Sequence, residues 1–484
     1  MNMKLVLFLL GRIGIVFGAS LFFPLVVSIA LNEDRFAEFS IPILISVVIG
    51  IIFTRGDNPY HGRLSLREGL AVIGFGSLLV CFLGSFPYII AGYDVVSALF
   101  ESIAGFTTTG ASNLVDLETS HLSLILWRSL TQWIGGLAII LIFITLVPQV
   151  GSGASQLFTA ELHGESAERL MPRITATTHM LIGFYLGLTG LLAGLLFLGG
   201  MNGFEATTHA MATTSTGGFS MYKTGLMHFA NRPLEMILLL FMFIAGGNYV
   251  LYYRAYKNGW RTFWRDTEFK AYLAVIAFFS VVIALDLSKY NIYGGLDCGY
   301  YGLFQTVSFV TTTGFVAQNY NEWPDFSRYC LLLLMFVGGC TGSTAGGIKI
   351  ARLVILFKLT WAELKRTIHP QMVTDIRMTG ETVRPAMIAG ISRFFFLYMF
   401  IFVFVTMTLS LVSNLGMFES IGIAAACLGN VGPAFDIVSP ISSYAQLNVA
   451  GKLVSCMAML LGRVEIITLL VFLHPDFWRS NKNW

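Results

Sequence analysis

Charged residues are scarce in this chain of 484 residues. Only 12% of the residues are Asp, Glu, Lys or Arg, which is about half the fraction that is usual in soluble domains. Polar linkers of the kind that separate soluble domains are also missing. The formal net charge of +3 is too small to indicate a nucleic-acid partner. These absences argue against a soluble protein and favour a chain embedded in a membrane.

Motifs of catalytic and metal sites are missing as well. The six cysteines show neither CxxC nor zinc-ligand spacing, and the eight histidines form no HExxH pattern. No phosphate-binding loop or dinucleotide fingerprint occurs. The sequence therefore argues against a membrane enzyme and places any energy sensing in another chain. Packing is the simplest role for the cysteines, and a disulfide between Cys298 and Cys330 on the outer face stays open.

Long apolar runs follow one another along nearly the whole chain. Each approaches the ~20 residues that a helix needs to cross a bilayer. The first run, from Leu5 to Leu31, is too long for the apolar core of a signal peptide and is interrupted by Arg12, so we expect a retained helix. The ten predicted spans are roughly 5–31, 39–53, 68–91, 122–147, 174–200, 233–253, 271–287, 329–358, 394–413 and 449–473.

The distribution of lysine and arginine predicts the orientation. These residues concentrate after the second, sixth and eighth spans, whereas the stretches 93–127 and 413–451 contain neither. Since cytoplasmic loops are enriched in positive charge, both termini are expected in the cytoplasm. The segment 148–173 is the weakest indicator, because acidic and basic residues nearly balance there. The basic positions are Arg55, Arg63, Arg67, Arg254, Lys257, Arg261, Arg265, Lys270, Lys358, Lys365, Arg366, Arg377, Arg384 and Arg393.

Four outward segments share one layout, in which a short apolar stretch precedes a hydroxyl-rich loop and a glycine. When the loops are aligned on Gly110, Gly217, Gly314 and Gly432, they recur at separations of 107, 97 and 118 residues. An internal repeat of this kind must be part of any explanation of the fold. The fourth loop is divergent, and Gly429 is a rival to Gly432 there.

A second glycine mark recurs in the helix that follows each loop. It is a glycine pair in three units (Gly135-Gly136, Gly246-Gly247, Gly338-Gly339), and it reads Gly462-Arg463 in the fourth. Each unit is therefore predicted to be a helix, a half-helix, an extended loop and a second helix. The predicted divisions are a two-helix segment at 1–66 and pore repeats at 67–148, 149–258, 259–367 and 368–484.

Together, the four loops predict an ion-selective pore in an all-α membrane protein. Non-helical backbone at membrane depth is tolerated only where it is buried or lines a watery path. Rings of backbone carbonyls can replace the water shell of potassium, and glycine permits the positive φ that such loops need. A single such loop would be an ordinary outer loop, but four favour a filter. The predicted filter residues are Thr108, Thr109, Gly110, Ser215, Thr216, Gly217, Thr312, Thr313, Gly314, Asn430, Val431 and Gly432.

The glycine-rich run 338–349 in the eighth span is unusual for a helix. Each interior glycine costs up to ~1 kcal/mol relative to alanine, so we expect this run to be unwound against protein or a pore. It is not a phosphate-binding loop, because Ile348 separates Gly347 from Lys349. Close packing between helices is the alternative explanation.

Arg463 is a charged residue in the middle of the last span. Such a residue is costly and indicates a functional position with a partner, and Glu465 would not share its helix face. We interpret Arg463 as a pore residue that opposes cations until the glycine-rich run moves, with a structural ion pair as the alternative. The predicted gate residues are Gly338, Gly339, Gly342, Ser343, Thr344, Gly346, Gly347, Lys349 and Arg463.

These motifs resemble those of the membrane subunits, of TrkH or TrkG type, in bacterial Trk potassium-uptake systems of the Trk/Ktr/HKT superfamily. The resemblance covers essentially the whole chain, including the two helices before the first repeat. It implies one four-loop filter in each chain and a gate loop within the membrane. It also implies potassium as the ion, because in plant relatives serine in place of the first filter glycine accompanies sodium transport.

The same resemblance implies an inner-membrane homodimer and a cytoplasmic TrkA-type regulatory subunit that binds nucleotides, with no organic cofactor in this chain. A secondary transporter of another small solute is the alternative. Such transporters usually combine inverted repeats with broken helices, whereas these repeats run parallel. Channel-like flux and symport with protons or sodium both stay open.

Overall fold

The computed structural model describes residues 1–55, 65–114, 118–145, 170–372, 375–438, 442–464 and 466–478. Within these ranges the chain is all-α, and its single sheet is a two-stranded hairpin. The predicted boundary between the first and second repeats lies outside the described residues. Several residues that bear on the predicted orientation (Arg63, Glu161, Glu165, Glu168 and Arg169) also lie outside the described residues, as does Glu465, the acidic residue nearest to Arg463 in the sequence.

Two spans precede the first repeat. Helix α1 (Met3–Ser20) continues into α2 (Phe22–Ala30), and α3 (Phe36–Thr54) packs against α1. Small residues allow this close packing: a Cβ atom on Gly11 would lie 2.8 Å from the carbonyl oxygen of Gly50. Close approach of backbones through small residues is a common way for helices to associate in membranes.

Each of the four predicted units contains a first helix, a short half-helix and a second helix in this order. The first unit has α4 (Leu66–Ile90), α5 (Val95–Phe106) and α6 (Leu122–Thr145), and the second has α7 (Leu170–Leu198), α8 (Gly203–Thr214), α9 (Arg232–Ala245) and α10 (Tyr249–Asn258). The third has α11 (Arg261–Arg265), α12 (Thr267–Lys289), α13 (Gly295–Val310), α14 (Asp325–Leu334) and α15 (Ile350–Ile368). The fourth has β1 (Arg377–Met378), β2 (Glu381–Thr382), α16 (Pro385–Ser413), α17 (Met417–Gly429), α18 (Val449–Arg463), α19 (Ile466–Leu470) and α20 (Pro475–Trp478).

Seven apolar helices in the described part of the chain are long enough to cross a membrane, counting α1 and α2 as one. The remaining three predicted spans are not straight helices. The sixth bends by 88° between α9 and α10, next to Gly246-Gly247, and the tenth bends after Arg463. The eighth is interrupted, because α14 ends at Leu334 and α15 begins only at Ile350.

The half-helices α5, α8, α13 and α17 are short and deeply buried. Side chains cap two of them: Asp94 accepts a hydrogen bond from the Ser97 amide at 3.0 Å, and Asn202 accepts one from the Glu205 amide at 2.8 Å. At the other end, residues 304–310 of α13 and 422–429 of α17 are all buried. The loops that follow these half-helices therefore lie inside the protein.

The outer surface of the helices is apolar. On α16, Phe396, Phe400, Phe404 and Leu411 are all more than 60% exposed. An exposed apolar face of this size marks a surface in contact with lipid. Together with the long apolar helices, it identifies a multi-pass membrane protein.

Candidate ion pathway

The four loops after the half-helices share one backbone conformation. In each loop, a residue at or just after the C-cap of the half-helix has positive φ, and a glycine two residues later also has positive φ. The pairs are Thr108 (50°) with Gly110 (77°), Thr216 (53°) with Gly218 (73°), Thr312 (55°) with Gly314 (75°), and Asn430 (54°) with Gly432 (96°). Positive φ is uncommon in residues other than glycine, so its recurrence in four loops indicates one shared structure.

The second loop differs from the sequence alignment by one residue. Gly218 has the positive φ, and its amide donates to the carbonyl of Ala212 at 3.3 Å, as the amide of Gly110 donates to Ala104 at 3.3 Å. The stretch 213–218 contains four hydroxyl residues and two glycines. Because α8 ends at Thr214, only Ser215 and Thr216 lie between the helix and Gly217. The predicted equivalence of Gly217 with Gly110 is therefore wrong, and Gly217 occupies the position of Thr109.

The four loops close into a ring. In each of these four loops, a Cβ atom placed on the glycine with positive φ would collide with a backbone carbonyl oxygen of the next loop. The colliding pairs are Gly110 with Gly217, Gly218 with Thr313, Gly314 with Val431, and Gly432 with Thr109. We call Gly110, Gly218, Gly314 and Gly432 the glycine ring. Carbonyls brought together in this way at the ends of four half-helices can replace the hydration shell of a weakly hydrated cation.

In the fourth loop, Gly432 belongs to the glycine ring, whereas Gly429 is the last residue of α17. Asn430 takes the left-handed position that threonine takes in the other loops, and asparagine tolerates this conformation better than most residues. Its Nδ2 atom donates to Thr109 Oγ1 at 2.8 Å and to the carbonyl of Met459 at 3.0 Å. Asn430 thus connects the fourth loop to the first loop and to α18.

Polar side chains from other elements form hydrogen bonds to the backbone of the second and fourth loops. Gln132 of α6 donates to the carbonyl of Gly217 at 2.6 Å and accepts from the amide of Phe219 at 3.1 Å. The hydroxyl of Tyr444 donates to the carbonyl of Gly432 at 2.6 Å. Sequence reasoning missed both residues, because neither belongs to a repeated motif.

A buried ion pair joins the first and second loops. Arg128 of α6 pairs with Glu101 of α5, and both side chains are almost inaccessible. Glu101 also accepts from the amide of Asn113 at 2.9 Å, and Arg128 donates to the carbonyl of Ser220 at 2.9 Å. Buried charges need such partners because isolated ones are costly. The guanidinium group also lies 3.8 Å from the centre of the Phe219 ring.

Residues 335–349, between α14 and α15, are not helical, which confirms the predicted unwinding. We call this segment the glycine-rich loop. It folds back on itself: the Gly338 amide donates to the carbonyl of Ile348 at 2.7 Å, and the Ile348 amide donates to the carbonyl of Phe336 at 3.1 Å. A Cβ atom on Gly338 would collide with the carbonyl of Gly346. Glycine is therefore needed for the two arms of the loop to meet.

The glycine-rich loop contacts the filter loops on the side opposite the glycine ring. The Gly346 amide donates to Thr312 Oγ1 at 2.7 Å, and Thr344 Oγ1 donates to the carbonyl of Thr214 at 3.1 Å. Arg463 donates from Nη1 to the carbonyl of Thr344 at 2.8 Å. The loop is thus in direct contact with the third filter loop, with the end of α8 and with α18.

Two cavities adjoin this arrangement on its two sides. One is lined by the four members of the glycine ring. The other is lined by the glycine-rich loop together with Lys349, Arg352 and Arg463. Lys349 donates to the carbonyl of Ala345 at 2.5 Å, so it also holds the loop in shape. The second cavity therefore brings backbone of the glycine-rich loop together with three basic side chains.

The predicted filter and gate residues thus come together, although they are far apart in the chain. The six cysteines, all within the described ranges, are buried and form no disulfide, so the pairing of Cys298 with Cys330 that the sequence left open is not formed. Instead, Cys298 Sγ donates to the carbonyl of Tyr293 at 3.3 Å.

Comparison with known proteins gives relatives along the whole chain. The Trk system potassium uptake proteins TrkH of Salmonella typhimurium and of Escherichia coli K12 are each 31% identical over 486 residues, covering 99% of this chain and 100% of the relative. The crystal structure of the potassium transporter TrkH from Vibrio parahaemolyticus matches with a TM-score of 0.90 and 29% identity, over 99% of this chain and 100% of that one. A family model described as "TrkH: Cation transport protein" matches residues 63–480. The chain therefore belongs to the TrkH family of cation transport proteins.

Proposed function

We propose that this chain is the potassium-conducting membrane subunit of a Trk-type uptake system in the bacterial inner membrane, with both termini in the cytoplasm. The closed ring of four loops carries the proposal. Each loop brings a carbonyl oxygen against the glycine of its neighbour, and such oxygens can coordinate potassium without its water shell. The relatives named as potassium uptake proteins support the same ion.

The selectivity filter, in this proposal, consists of the glycine ring and the residues before it. Potassium enters from the cavity that the glycine ring lines. It is coordinated by backbone carbonyls such as those of Thr109, Thr313 and Val431. Each half-helix directs the partial negative charge of its C-terminal end toward the ion. Glycine at all four positions leaves the space that a side chain would fill.

The gate, in this proposal, is the glycine-rich loop together with Arg463. The loop obstructs the path below the filter, and Arg463 adds a positive charge that opposes an entering cation. The hydrogen bond from Arg463 Nη1 to the carbonyl of Thr344 holds the loop in the closed arrangement. Opening requires the loop to withdraw, as an ordered segment does in many switching proteins.

Control of the gate would come from another chain. We propose a homodimer that docks a cytoplasmic TrkA-type subunit, whose bound nucleotide reports the energy state. The basic residues in α10 and near the end of α15, such as Arg254, Lys365 and Arg366, offer docking surfaces of positive charge. Co-purification of this chain with the regulatory subunit at increasing salt concentration tests the proposed docking. Binding through such surfaces should weaken, because salt screens the charges.

The decisive test of the transport function is ion flux in liposomes that contain the purified chain. We expect potassium to pass much faster than sodium. Gly314→Ser should erode this preference, because the side chain would collide with the carbonyl of Val431. Gly183→Ser is the matched control, since Gly183 is exposed on α7 with no neighbouring atoms within 4 Å. Unchanged ion preference in Gly314→Ser would remove the filter assignment. Currents measured under opposed ion gradients would separate channel-like flux from symport.

A further inference from the structure

A buried carboxylate binds the glycine-rich loop and the start of the helix that follows it. Glu268 lies in the first turn of α12 and is only 4% exposed. Its Oε1 atom accepts from the amide of Thr341 at 2.6 Å, from the hydroxyl of Thr341 at 2.9 Å and from the amide of Ala351 at 3.2 Å. Thr341 lies near the middle of the loop, and Ala351 lies in the first turn of α15, just after the end of the loop. One oxygen atom therefore ties together two points that are ten residues apart in the chain.

The base of α12 is itself held in place. Asp266 caps this helix by accepting from the amide of Phe269 at 2.7 Å. Next to it, Thr267 and Thr379 exchange two hydrogen bonds, from the Thr267 amide to Thr379 Oγ1 at 3.3 Å and from the Thr379 amide to Thr267 Oγ1 at 3.0 Å. Thr379 belongs to the turn of the β1–β2 hairpin. Glu268 is thus mounted on a helix end that several contacts fix.

The donors to Glu268 show what its removal would affect. A buried carboxylate is costly unless hydrogen bonds satisfy it, and here its donors come from the loop and from the N-terminal turn of α15. That turn carries a partial positive charge which a carboxylate stabilises. Loss of the carboxylate would therefore act first on the loop and on its junction with α15, rather than on the packing of α12.

We propose that Glu268 is a positioning residue of the gate, which keeps Thr341 of the glycine-rich loop close to the start of α15. With these two points tied together, the residues between them can move while the loop stays anchored. Without Glu268, the anchor at Thr341 is lost although the backbone bonds between the two arms remain, and the loop rests less stably on Thr312 and Arg463. This inference rests on the proposed gate, and the experiment below distinguishes failure of one from failure of the other.

The experiment combines hydrogen–deuterium exchange with ion flux in the full-length protein. Glu268→Ala should raise amide exchange in the peptide that covers 338–351. It should also raise potassium flux without a regulatory subunit about fivefold, the factor that corresponds to one typical net hydrogen bond. Glu268→Gln should change both much less, because its amide oxygen can accept the same bonds. Glu235→Ala is the matched control: it removes another buried carboxylate, which accepts from Tyr300 at 2.8 Å, far from the loop.

Unchanged exchange in the 338–351 peptide of Glu268→Ala would overturn the proposal, as would an equal rise in the Glu235→Ala protein. Raised exchange with unchanged flux would support the anchor and remove the gate assignment. If Glu268→Ala does not fold, Thr341→Val decides instead, because it removes one of the three donors at nearly constant volume. Exchange in Thr341→Val equal to that of the wild type would then overturn the role of Glu268.

Discussion

The glycine ring and the glycine-rich loop are both irregular backbone buried among the helices, but they are held in different ways. Every member of the ring abuts the next loop, so the same contact occurs four times. The glycine-rich loop occurs once, and its tip rests on its neighbours through single hydrogen bonds to Thr312, Thr214 and Arg463. In the ring, each loop is held by both of its neighbours, and this resists the movement of any one loop. The glycine-rich loop, by contrast, can move away when its single hydrogen bonds break. This difference supports the proposal that the ring selects the ion and that the loop moves.

The largest expected effect comes from a change in the ring. Gly218→Ala should lower the ratio of potassium to sodium permeability about tenfold or more, since a left-handed conformation costs an L-residue about 1–2 kcal/mol. The added Cβ atom would also collide with the backbone carbonyl of Thr313. Permeability ratios from reversal potentials in planar bilayers measure the effect.

The matched variant is Gly217→Ala, one residue earlier in the same loop. Its Cβ atom would meet the side chain of Gln132, which can move, and the backbone of Gly217 does not have positive φ. We therefore expect a smaller loss of selectivity than in Gly218→Ala. The opposite order would restore the alignment of Gly217 with Gly110 and contradict the register described above.

The second prediction concerns the charge at the loop. Arg463→Ala should raise potassium flux without a regulatory subunit by at least about tenfold, because a positive charge in a pore can cost a passing cation several kcal/mol, which exceeds the ~1.4 kcal/mol of a tenfold change. It also removes the hydrogen bond to the carbonyl of Thr344. The permeability ratio should stay within about twofold of the wild type, because the ring is untouched. A collapse of selectivity would show that Arg463 supports the ring and would blur the distinction between the two regions.

The third prediction concerns the contact between the two regions. Thr312→Val removes the hydroxyl that accepts from the Gly346 amide at 2.7 Å, at nearly constant volume. We expect potassium flux to rise about fivefold, the equivalent of one net hydrogen bond. Thr216→Val is the control, because that hydroxyl donates to the neighbouring carbonyl of Ser215 and not to the glycine-rich loop. An equal rise in both variants would mean that the effect comes from the filter rather than from the release of the loop.

Local patterns in the sequence were enough to predict most of the fold and the positions of the site. Hydroxyl residues followed by glycine encode the loop backbone, and the glycine content of 338–349 encodes the unwinding, so neither depends on distant contacts. The register of the second loop depends on where α8 ends, which tertiary packing decides. The supports from Gln132 and Glu268 join residues that are 85 and 73 positions apart. No local pattern predicts such pairs, because nothing in the sequence around Gln132 or Glu268 distinguishes them from other polar residues of their helices.

The smallest expected effect concerns Asn430, which takes the left-handed position that threonine takes in the other three loops. Asn430→Gly keeps the left-handed backbone but removes the hydrogen bonds to Thr109 Oγ1 and to the carbonyl of Met459. We expect the free energy of unfolding to fall by about 1–2 kcal/mol, the sum of two such bonds, as measured by denaturant titration in detergent. Thr216→Gly controls for the flexibility of glycine, because Thr216 has the same conformation and only a local hydrogen bond. If both variants lost equal stability, the amide of Asn430 would contribute nothing, and the fourth loop would be held by its backbone alone.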